Sequence, residues 1–284
     1  MTGATGFVGP VLARKLVDDG WDVVALVRPT SDLKRLPAEV EPVVISGDLA
    51  EKISRAGGDV CFHLATHFVG VHKPEDIEPL VNSNVGFTAE LAEALVHAGV
   101  TTIVNTGTAW QHFESEAFSP VSLYAATKQA AQDILQFYAE CEQLQVVNLH
   151  LFDTYGPNDP RRKLIAALLD AAATGRHLDM SPGEQFIDLL HVEDAAAAFL
   201  AAAAARRPGM QTFGASSGEA NTIRSVAALV TEISGRPIDV TWGATQYRVR
   251  EMHESWRIGD PPPGWKPQVR LRDGLQQLWD KAGC

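Results

Sequence analysis

Cysteine is scarce in this chain, with three residues among 284. Cys61, Cys141 and Cys284 lie far apart, so they fit neither a disulfide framework nor the close spacing of metal ligands. We therefore expect reduced cysteines that serve packing, and no metal site. Nothing in the sequence resembles a signal peptide, and the cytoplasm is the compartment that we expect.

Positive charge is also in short supply. Lysine and arginine total 24 residues against 35 aspartates and glutamates, which gives a formal net charge of −11. This balance argues against sequence-independent binding to nucleic acid or to an anionic membrane. The longest apolar run, residues 195–205, is too short to span a bilayer and is flanked by Asp194 and Arg206, so it predicts a buried helix.

A glycine-rich stretch stands at the start of the chain, Thr2-Gly3-Ala4-Thr5-Gly6-Phe7-Val8-Gly9, and a helical pattern comes directly after it. Glycines at these positions let the backbone turn tightly against a diphosphate, which then lies at a helix N-terminus. An ordinary glycine-rich turn would look the same, so the interpretation depends on the strands and side chains later in the chain. The residues that we assign to a dinucleotide here are Gly3, Thr5, Gly6, Phe7 and Val8.

One β-strand is missing from the expected order. A glycine stretch of this kind normally comes after a strand, yet only Met1 precedes it. That strand belongs mid-sheet, so its loss would leave backbone groups of two neighbouring strands unpaired. We expect either that the written start is late, with a Val from an alternative start codon read as Met1, or that the chain compensates elsewhere.

Strand and helix patterns alternate over about the first 150 residues. The predicted strands are residues 21–27, 43–45, 59–66 and 101–105, and the predicted helices are residues 10–19, 84–97 and 123–140. Such alternation predicts an α/β fold, a Rossmann doubly wound parallel sheet, with ligands at the carboxyl ends of the strands.

Residues at the ends of these strands indicate which dinucleotide is bound. An acidic residue after the second strand would bind the adenosine ribose of NAD(H), whereas Arg28 stands there and can pair with a 2′-phosphate. NADP(H) is therefore the predicted cofactor and NAD(H) the alternative; a surface arginine without function is the structural alternative. We also assign to the cofactor Asp48, Leu49, Leu64, Ala65, Thr66 and Thr106.

Three further side chains suggest acid/base chemistry. Tyr124 and Lys128 are four residues apart, so on a helix they share a face, and the ammonium can lower the phenol's pKa while reaching the nicotinamide ribose. Thr108 stands just after the last predicted strand. Alone, such a tyrosine and lysine usually form a solvated helix face; after the glycine stretch they indicate a catalytic trio beside a hydride donor.

With these motifs, the chain resembles the extended short-chain dehydrogenases/reductases of the nucleotide-sugar epimerase, dehydratase and reductase group over essentially its whole length. The resemblance implies that Tyr124 donates a proton, that Lys128 is its electrostatic partner and that Thr108 takes the catalytic Ser/Thr position. The motifs that carry it are Thr2–Gly9, His63-Leu64-Ala65, Asn84-Val85-Gly86, Tyr124 with Lys128, Tyr155-Gly156-Pro157 and His191-Val192-Glu193-Asp194.

The domain division and the assembly are implied by this resemblance. Residues 1–155 are expected to form the NADP-binding domain, to which residues 188–217 return, and residues 156–284 the smaller substrate lobe. In the family, helices equivalent to residues 84–97 and 124–140 pair in homodimers. Three apolar residues on one helix face are compatible with this pairing and equally with packing inside their own domain: Ile134, Phe137 and Tyr138.

Within the group, the chain is most similar to reductases that make CDP-linked 3,6-dideoxyhexoses of the abequose, paratose and ascarylose type. This similarity lies in residues 105–112, 151–159 and 180–185 and in the pairs 242–243, 247–248 and 250–251. The chain departs from the wider family at Asp153, where many relatives have Asn, and at Ile187, where Arg is frequent. Other groups must then hold the nucleotide sugar, and the candidates for substrate binding are His67, Thr108, Asp153, Arg162, Gln185, Arg248 and Arg250.

The sequence therefore predicts NADPH-dependent reduction of the C4 carbonyl of a nucleotide-linked deoxy-4-ketohexose. Arg28 favours this over an NAD-dependent nucleotide-sugar epimerase, because a reductase must exchange its cofactor with the cell's NADPH pool. No Glu or Lys comes directly after Thr108, where 4,6-dehydratases of the family carry an acid/base pair, so dehydration is disfavoured. A non-catalytic protein that binds a dinucleotide remains the third alternative.

Overall fold

The computed structural model describes residues 1–281 and 283, so Cys284 lies outside the described residues. The α-helices are α1 (Gly9–Asp18), α2 (Leu49–Ala56), α3 (Ile77–Val81), α4 (Phe87–His97), α5 (Leu123–Cys141), α6 (Leu164–Thr174), α7 (Val192–Ala204), α8 (Ile223–Ser234) and α9 (Leu271–Lys281). The strands are β1 (Val24–Val27), β2 (Glu41–Val44), β3 (Val60–His63), β4 (Thr102–Thr108), β5 (Gln145–Leu151), β6 (Asp153–Tyr155), β7 (Leu178–Met180), β8 (Phe186–His191), β9 (Met210–Ala215), β10 (Ala220–Thr222) and β11 (Val240–Trp242).

A parallel sheet covered by helices on both faces forms the larger part of the molecule. Its strands run in the order β3-β4-β5-β9, and the parallel pair β1-β2 lies beside β3. Helices α1 and α7 pack on one face, and α2, α4 and α5 pack on the other. The α/β fold with a parallel, doubly wound sheet is thus confirmed.

The place between β1 and β3 holds two residues instead of a strand. The Leu26 amide donates to the Met1 carbonyl at 2.8 Å, and the Thr2 amide donates to the Phe62 carbonyl at 2.9 Å. Thr2 forms single parallel bridges to β1 and β3, and no strand is assigned between them within residues 1–281. Below Met1, an apolar groove of about 350 Å³ runs between the two edges.

The sequence patterns do not predict two of the sheet's strands. Neither β5 nor β9 is predicted, although both are paired members of the sheet. In β5 the polar residues Asn148 and His150 interrupt the apolar run, yet both are buried. The Asn105 amide donates to the Asn148 side-chain oxygen at 2.9 Å across the β4–β5 pair, so a buried polar contact replaces an apolar one.

Helix α5 carries the face expected at a dimer contact, with one correction. Tyr138 is buried, and its hydroxyl donates to Glu93 of α4 at 2.9 Å, so it packs within its own chain. Phe137 is 53% exposed, and Ile77 and Val81 of the neighbouring α3 are 45% and 42% exposed. The exposed large apolar side chains of α3 and α5 are thus Ile77, Val81 and Phe137, while Ile134 is half-buried.

The C-terminal part builds a second apolar core. Two small sheets, β10-β8-β6 and β11-β7, stand beside helices α6, α8 and α9. These helices bury Leu168, Val226 and Leu275 against Tyr155. Cys61 is buried and Cys141 is exposed, both as free thiols. None of the helices in the described part of the chain is long and apolar enough to cross a membrane.

Candidate active site

The glycine-rich stretch turns directly against the end of β3. Gly3 has φ +67°, and a Cβ there would stand 2.6 Å from the Ala65 nitrogen. A Cβ on Gly9 would overlap the Gly3 carbonyl oxygen, so α1 can start here only with glycine. Beside Gly6, in contrast, only that same oxygen comes near, and the outer side of the turn is open.

Helix α1 begins directly after this turn, and its N-terminus faces the open side. Its N-cap residue, Val8, makes no side-chain hydrogen bond to the first amides, and the first turn contains no acidic residue. The N–H groups of the first turn are therefore free to bind an anion, and the helix dipole favours one. Thr5 is half-buried beside them and Phe7 is buried. These residues fit the diphosphate of a dinucleotide.

His63, which ends β3, anchors the glycine stretch from below. Its Nδ1 lies 2.7 Å from the Thr2 hydroxyl, and its Nε2 lies 3.0 Å from the Thr88 hydroxyl of α4. The Thr106 hydroxyl donates to the His63 carbonyl at 2.8 Å. Burial lowers the pKa of His63 to about 3, and the Lys128 ammonium adds to the effect, so the ring is neutral.

Asn84 organises the segment after β3. Its side-chain oxygen accepts from the Thr66 hydroxyl at 3.0 Å and from the His67 amide at 2.8 Å. Its nitrogen donates to the His67 carbonyl at 2.9 Å and to the Thr127 hydroxyl at 3.0 Å. His67 thus contributes its backbone, and it does not line the cavity beside Trp110 and Asp153. The sequence signal for Asn84 was its motif with Val85 and Gly86.

The adenosine end of the predicted site lies at the ends of β1 and β2. Arg28 is exposed, its amide donates to the Ser31 hydroxyl at 3.0 Å, and its guanidinium forms no ion pair within the described residues. Asp48 caps α2, because one carboxylate oxygen accepts from the Ala50 and Glu51 amides at 2.9 and 3.1 Å. Asp48 keeps its second oxygen for another contact. Leu49 begins α2 behind it.

Tyr124 and Lys128 lie one turn apart at the start of α5, a helix that Ser122 caps through the Ala125 amide. Both are buried, with 8% and 3% of their surfaces exposed. Thr108 ends β4, and its hydroxyl accepts from the Trp110 amide at 3.3 Å. The structure thus brings Tyr124 and Lys128 together, while Thr108 uses its hydroxyl to cap the turn after β4.

The protonation of this pair differs from the expectation. Burial raises the pKa of Tyr124 to about 12, and the Asp153 carboxylate adds to this, while the Thr66 hydroxyl and Arg161 act in the opposite direction. Burial lowers the pKa of Lys128 to about 8. The cation that opposes the rise in the pKa of Tyr124 is Arg161, whereas the spacing on α5 favours Lys128 for that role.

Two aromatic rings cover Tyr124. The Phe68 and Tyr124 rings meet edge to face at a centroid distance of 4.9 Å, and Trp110 meets Tyr124 in the same way at 6.4 Å. A cation stands over each covering ring: Lys163 Nζ is 4.6 Å from the Phe68 centroid, and the Arg248 guanidinium is 4.7 Å from the Trp110 centroid.

Each of these cations is paired with a carboxylate. Lys163 donates to Asp153 at 2.8 Å, and Arg248 donates to both oxygens of Glu251 at 2.8 and 3.3 Å. Burial alone would raise the pKa of Asp153, but Lys163, together with Arg248 and Arg161, outweighs it and holds this pKa below its usual value. Asp153 is therefore ionised at neutral pH.

A cavity of about 490 Å³ opens beside Trp110 and Asp153. Of the predicted substrate-binding residues, it is lined by Asp153, Gln185, Arg248 and Arg250, whereas Thr108 is not part of the lining. Arg250 is held by the Ser119 hydroxyl and the Pro120 carbonyl, both at 2.9 Å. Gln185 is buried, and its amide nitrogen donates to the Ser181 hydroxyl at 2.8 Å.

Arg162 lies apart from the cavity. It is exposed, has φ +47° and does not line the cavity. Its two neighbours turn inward instead: Lys163 binds Asp153, and Arg161 donates to the Thr154 carbonyl at 2.7 Å while lying 4.2 Å over the Phe7 ring. Three consecutive basic residues gave no sequence signal for which of them faces the site.

These features define the class of protein. The chain belongs to the NAD dependent epimerase/dehydratase family, whose sequence model matches residues 1–213. It is thus an enzyme of the extended short-chain dehydrogenase/reductase type, a family that acts with NAD(P).

Among known proteins, its relatives have several activities. A UDP-glucose 4-epimerase from Mycolicibacterium smegmatis is 28% identical over 97% of this chain and 95% of the relative. A dTDP-6-deoxy-L-talose 4-dehydrogenase (NAD(P)(+)) from Kitasatospora kifunensis is 29% identical over 98% and 93%. A CDP-abequose synthase from Salmonella typhimurium is 25% identical over 98% and 96%. Among solved structures, MoeE5 in complex with UDP-glucose and NAD has a TM-score of 0.84 and 26% identity over 99% of this chain and 98% of that chain.

Proposed function

We propose that this protein is an NADPH-dependent 4-ketoreductase of a nucleotide-linked deoxy-4-ketohexose. The observation that carries the proposal is Arg28, an exposed guanidinium at the carboxyl end of β1 that forms no ion pair within the described residues. A free arginine at this point of the fold suits a 2′-phosphate. A cofactor that is consumed and exchanged suits a reductase better than an epimerase.

The chain's own residues would divide the work of binding between three regions. The turn at Gly6 and the amides of α1 hold the diphosphate, Arg28 binds the 2′-phosphate, and Lys128 lies under the nicotinamide ribose. The nucleotide sugar would occupy the cavity beside Trp110 and Asp153, and its reacting carbon would reach Tyr124, whose ring meets Trp110 at a centroid distance of 6.4 Å. Arg248 and Arg250 supply positive charge on the wall of that cavity.

Tyr124 would supply the proton. When bound, NADPH provides the hydride to the carbonyl carbon, and the oxygen then needs a proton donor within hydrogen-bonding reach. With a pKa of about 12 the phenol is protonated throughout the neutral range, which suits donation. The reverse oxidation of the sugar alcohol, like the first half of an epimerase cycle, uses the same phenol as the base.

The epimerase remains the second candidate, because a UDP-glucose 4-epimerase is among the relatives and MoeE5 was solved with UDP-glucose and NAD. The two can be separated by incubating the protein with NADPH and cytidine- or thymidine-diphosphate-linked 4-keto-6-deoxyhexoses, and with UDP-glucose. The reductase consumes NADPH in proportion to the keto sugar. Interconversion of UDP-glucose and UDP-galactose without net NADPH consumption would instead establish the epimerase, and NADPH binding without any turnover would indicate a non-catalytic protein.

Cofactor choice gives an independent test. Arg28→Asp is expected to lower kcat/KM for NADPH by about tenfold to a hundredfold and to spare NADH, because a charge-assisted contact contributes about 1.5–3 kcal/mol. Arg55→Asp, the same charge change on the exposed end of α2, is the matched control and should leave the preference unchanged. An unaltered NADPH/NADH ratio in Arg28→Asp would refute the assignment.

A further inference from the structure

Two aromatic rings form an apolar surface beside Tyr124. The rings of Phe68 and Trp110 stand at 81° to the Tyr124 ring, and their own centroids are 5.7 Å apart. Phe68 is 40% exposed, although it is a large apolar side chain. Gly70 lies beside both rings, since a Cβ there would be in ordinary contact with Phe68 and Trp110 at 3.9 Å.

A paired cation lies over each of the two rings. Lys163 lies over Phe68 and Arg248 over Trp110, and each cation is bound to a carboxylate, Asp153 or Glu251. Because the ion pairs hold the cations, and the cations attract the ring faces, the rings are held as a wall next to the phenol. These contacts limit the motion of the two rings, although Phe68 is partly exposed to solvent.

A wall of aromatic carbon discriminates between sugars by their hydroxyl groups. A sugar bound with its reacting carbon at Tyr124 presents the groups on the adjacent carbons to Phe68 and Trp110. A hydroxyl pressed against these rings loses its hydrogen bonds to water and gains no partner, whereas a methyl or methylene group gains contact area. The site therefore favours a hexose that lacks hydroxyls on that side.

We propose that Phe68 and Trp110 are the specificity-determining residues of this enzyme, and that they select nucleotide-linked hexoses in which the group on C5, beside the reacting C4, is a methyl group and not a hydroxymethyl group. The inference rests on the proposed function, since it assumes a sugar nucleotide that reacts at Tyr124. It goes beyond that function by assigning the choice of sugar to two named rings, which touch the substrate without taking part in proton or hydride transfer.

The test uses two sugar nucleotides that differ by one hydroxyl. Thymidine diphosphate-linked galactose and its 6-deoxy analogue are oxidised with NADP⁺, and kcat/KM is measured for each from the formation of NADPH. The wild-type protein is expected to prefer the 6-deoxy sugar by about tenfold to a hundredfold. Phe68→Asn and Trp110→Gln offer the hydroxyl a partner, and we expect each to reduce this ratio by about tenfold.

Matched variants separate selection from general damage. Phe113→Asn also removes a ring that makes a cation–π contact, with the Arg250 guanidinium 5.0 Å from the ring centroid. The Phe113 ring is not one of the two that meet Tyr124, so the ratio of kcat/KM values should stay at the wild-type value. Phe68→Leu and Trp110→Phe keep the wall apolar and should keep the preference even if kcat falls. NADPH binding and circular dichroism confirm that each variant is folded.

Two results overturn the proposal in distinguishable ways. A wild-type ratio near one, or a ratio that Phe68→Asn and Trp110→Gln leave unchanged while turnover continues, shows that the rings do not select the sugar, and the proposed function survives. Absence of turnover with both sugar nucleotides, together with failure to reduce 4-keto-6-deoxyhexoses, overturns the proposed function and this inference with it.

Discussion

His63 makes the stability of this protein depend on pH in a way that can be measured without a substrate. The ring bridges Thr2 and Thr88 in the interior with 1% of its surface exposed. Its pKa is about 3 in the folded protein against the ordinary value of 6.5. Between these values the unfolded chain binds the proton and the folded chain does not, so stability falls as the pH is lowered below about 6.5.

The magnitude depends on the gap between the two pKa values. One pKa unit corresponds to about 1.4 kcal/mol, so at about pH 5 the wild-type protein has lost about 2 kcal/mol through His63 alone. His150 is buried with a pKa of about 3 as well and contributes in the same direction. His63→Gln keeps a side chain that can both donate and accept, but it removes the titration.

Urea unfolding at about pH 7.5 and about pH 5 measures the effect. The loss of unfolding free energy between these two values should be smaller in His63→Gln than in the wild type by about 2 kcal/mol, since carboxylates and His150 cancel in the comparison. His177→Gln is the control, because Asp239 and Asp179 raise the pKa of this exposed histidine and its contribution has the opposite sign. Equal losses in wild type and His63→Gln, within about 0.5 kcal/mol, would refute the argument.

Three further predictions concern catalysis and assembly. Tyr124→Phe should lower turnover by about 10²–10⁴-fold and leave NADPH affinity within about twofold, as measured by steady-state kinetics and fluorescence titration; wild-type turnover would contradict its role as proton donor. Asp153→Asn should move the high-pH limb of the reduction rate to lower pH, because the carboxylate raises the pKa of Tyr124; an unchanged limb in a folded variant would contradict this role. Light scattering should give the mass of a homodimer, and Phe137→Glu should give a monomer, because this ring is 53% exposed on the face expected to pair; a wild-type monomer at micromolar concentration would reject the assembly.

The parts of the fold that local patterns encode could be predicted from the sequence. The glycine stretch, the buried strands β1 and β3 and the helix that carries Tyr124 are all indicated by residue spacing within one element. Strand β5 could not be predicted, because its buried polar residues find partners on other elements: Asn148 meets Asn105, and His150 meets His112 and Gln132. A local pattern does not contain these partners.

The same reason explains which details of the candidate site the sequence does not contain. The pKa of Tyr124 depends on the cover by Phe68 and Trp110, which arrive from two different loops, and spacing along α5 says nothing about them. Likewise, Arg161 and Lys163 face the site and Arg162 does not, because this irregular segment has no helical or strand period from which directions could be inferred. Residue type indicates which reactions the side chains could support, whereas tertiary packing determines which of them lie at the candidate site.

The junction at Met1 and Thr2 divides the sheet into two blocks for hydrogen exchange. Strands β1 and β2, next to Arg28, are joined to the larger block through the backbone bonds of these two residues, whereas β4 and β5 share a ladder of seven paired residues. Amides of the smaller block should therefore exchange through an opening that leaves the larger block intact. A dinucleotide that spans Arg28 and Lys128 binds only when both blocks are closed, so it should slow exchange in β1 and β2 most of all.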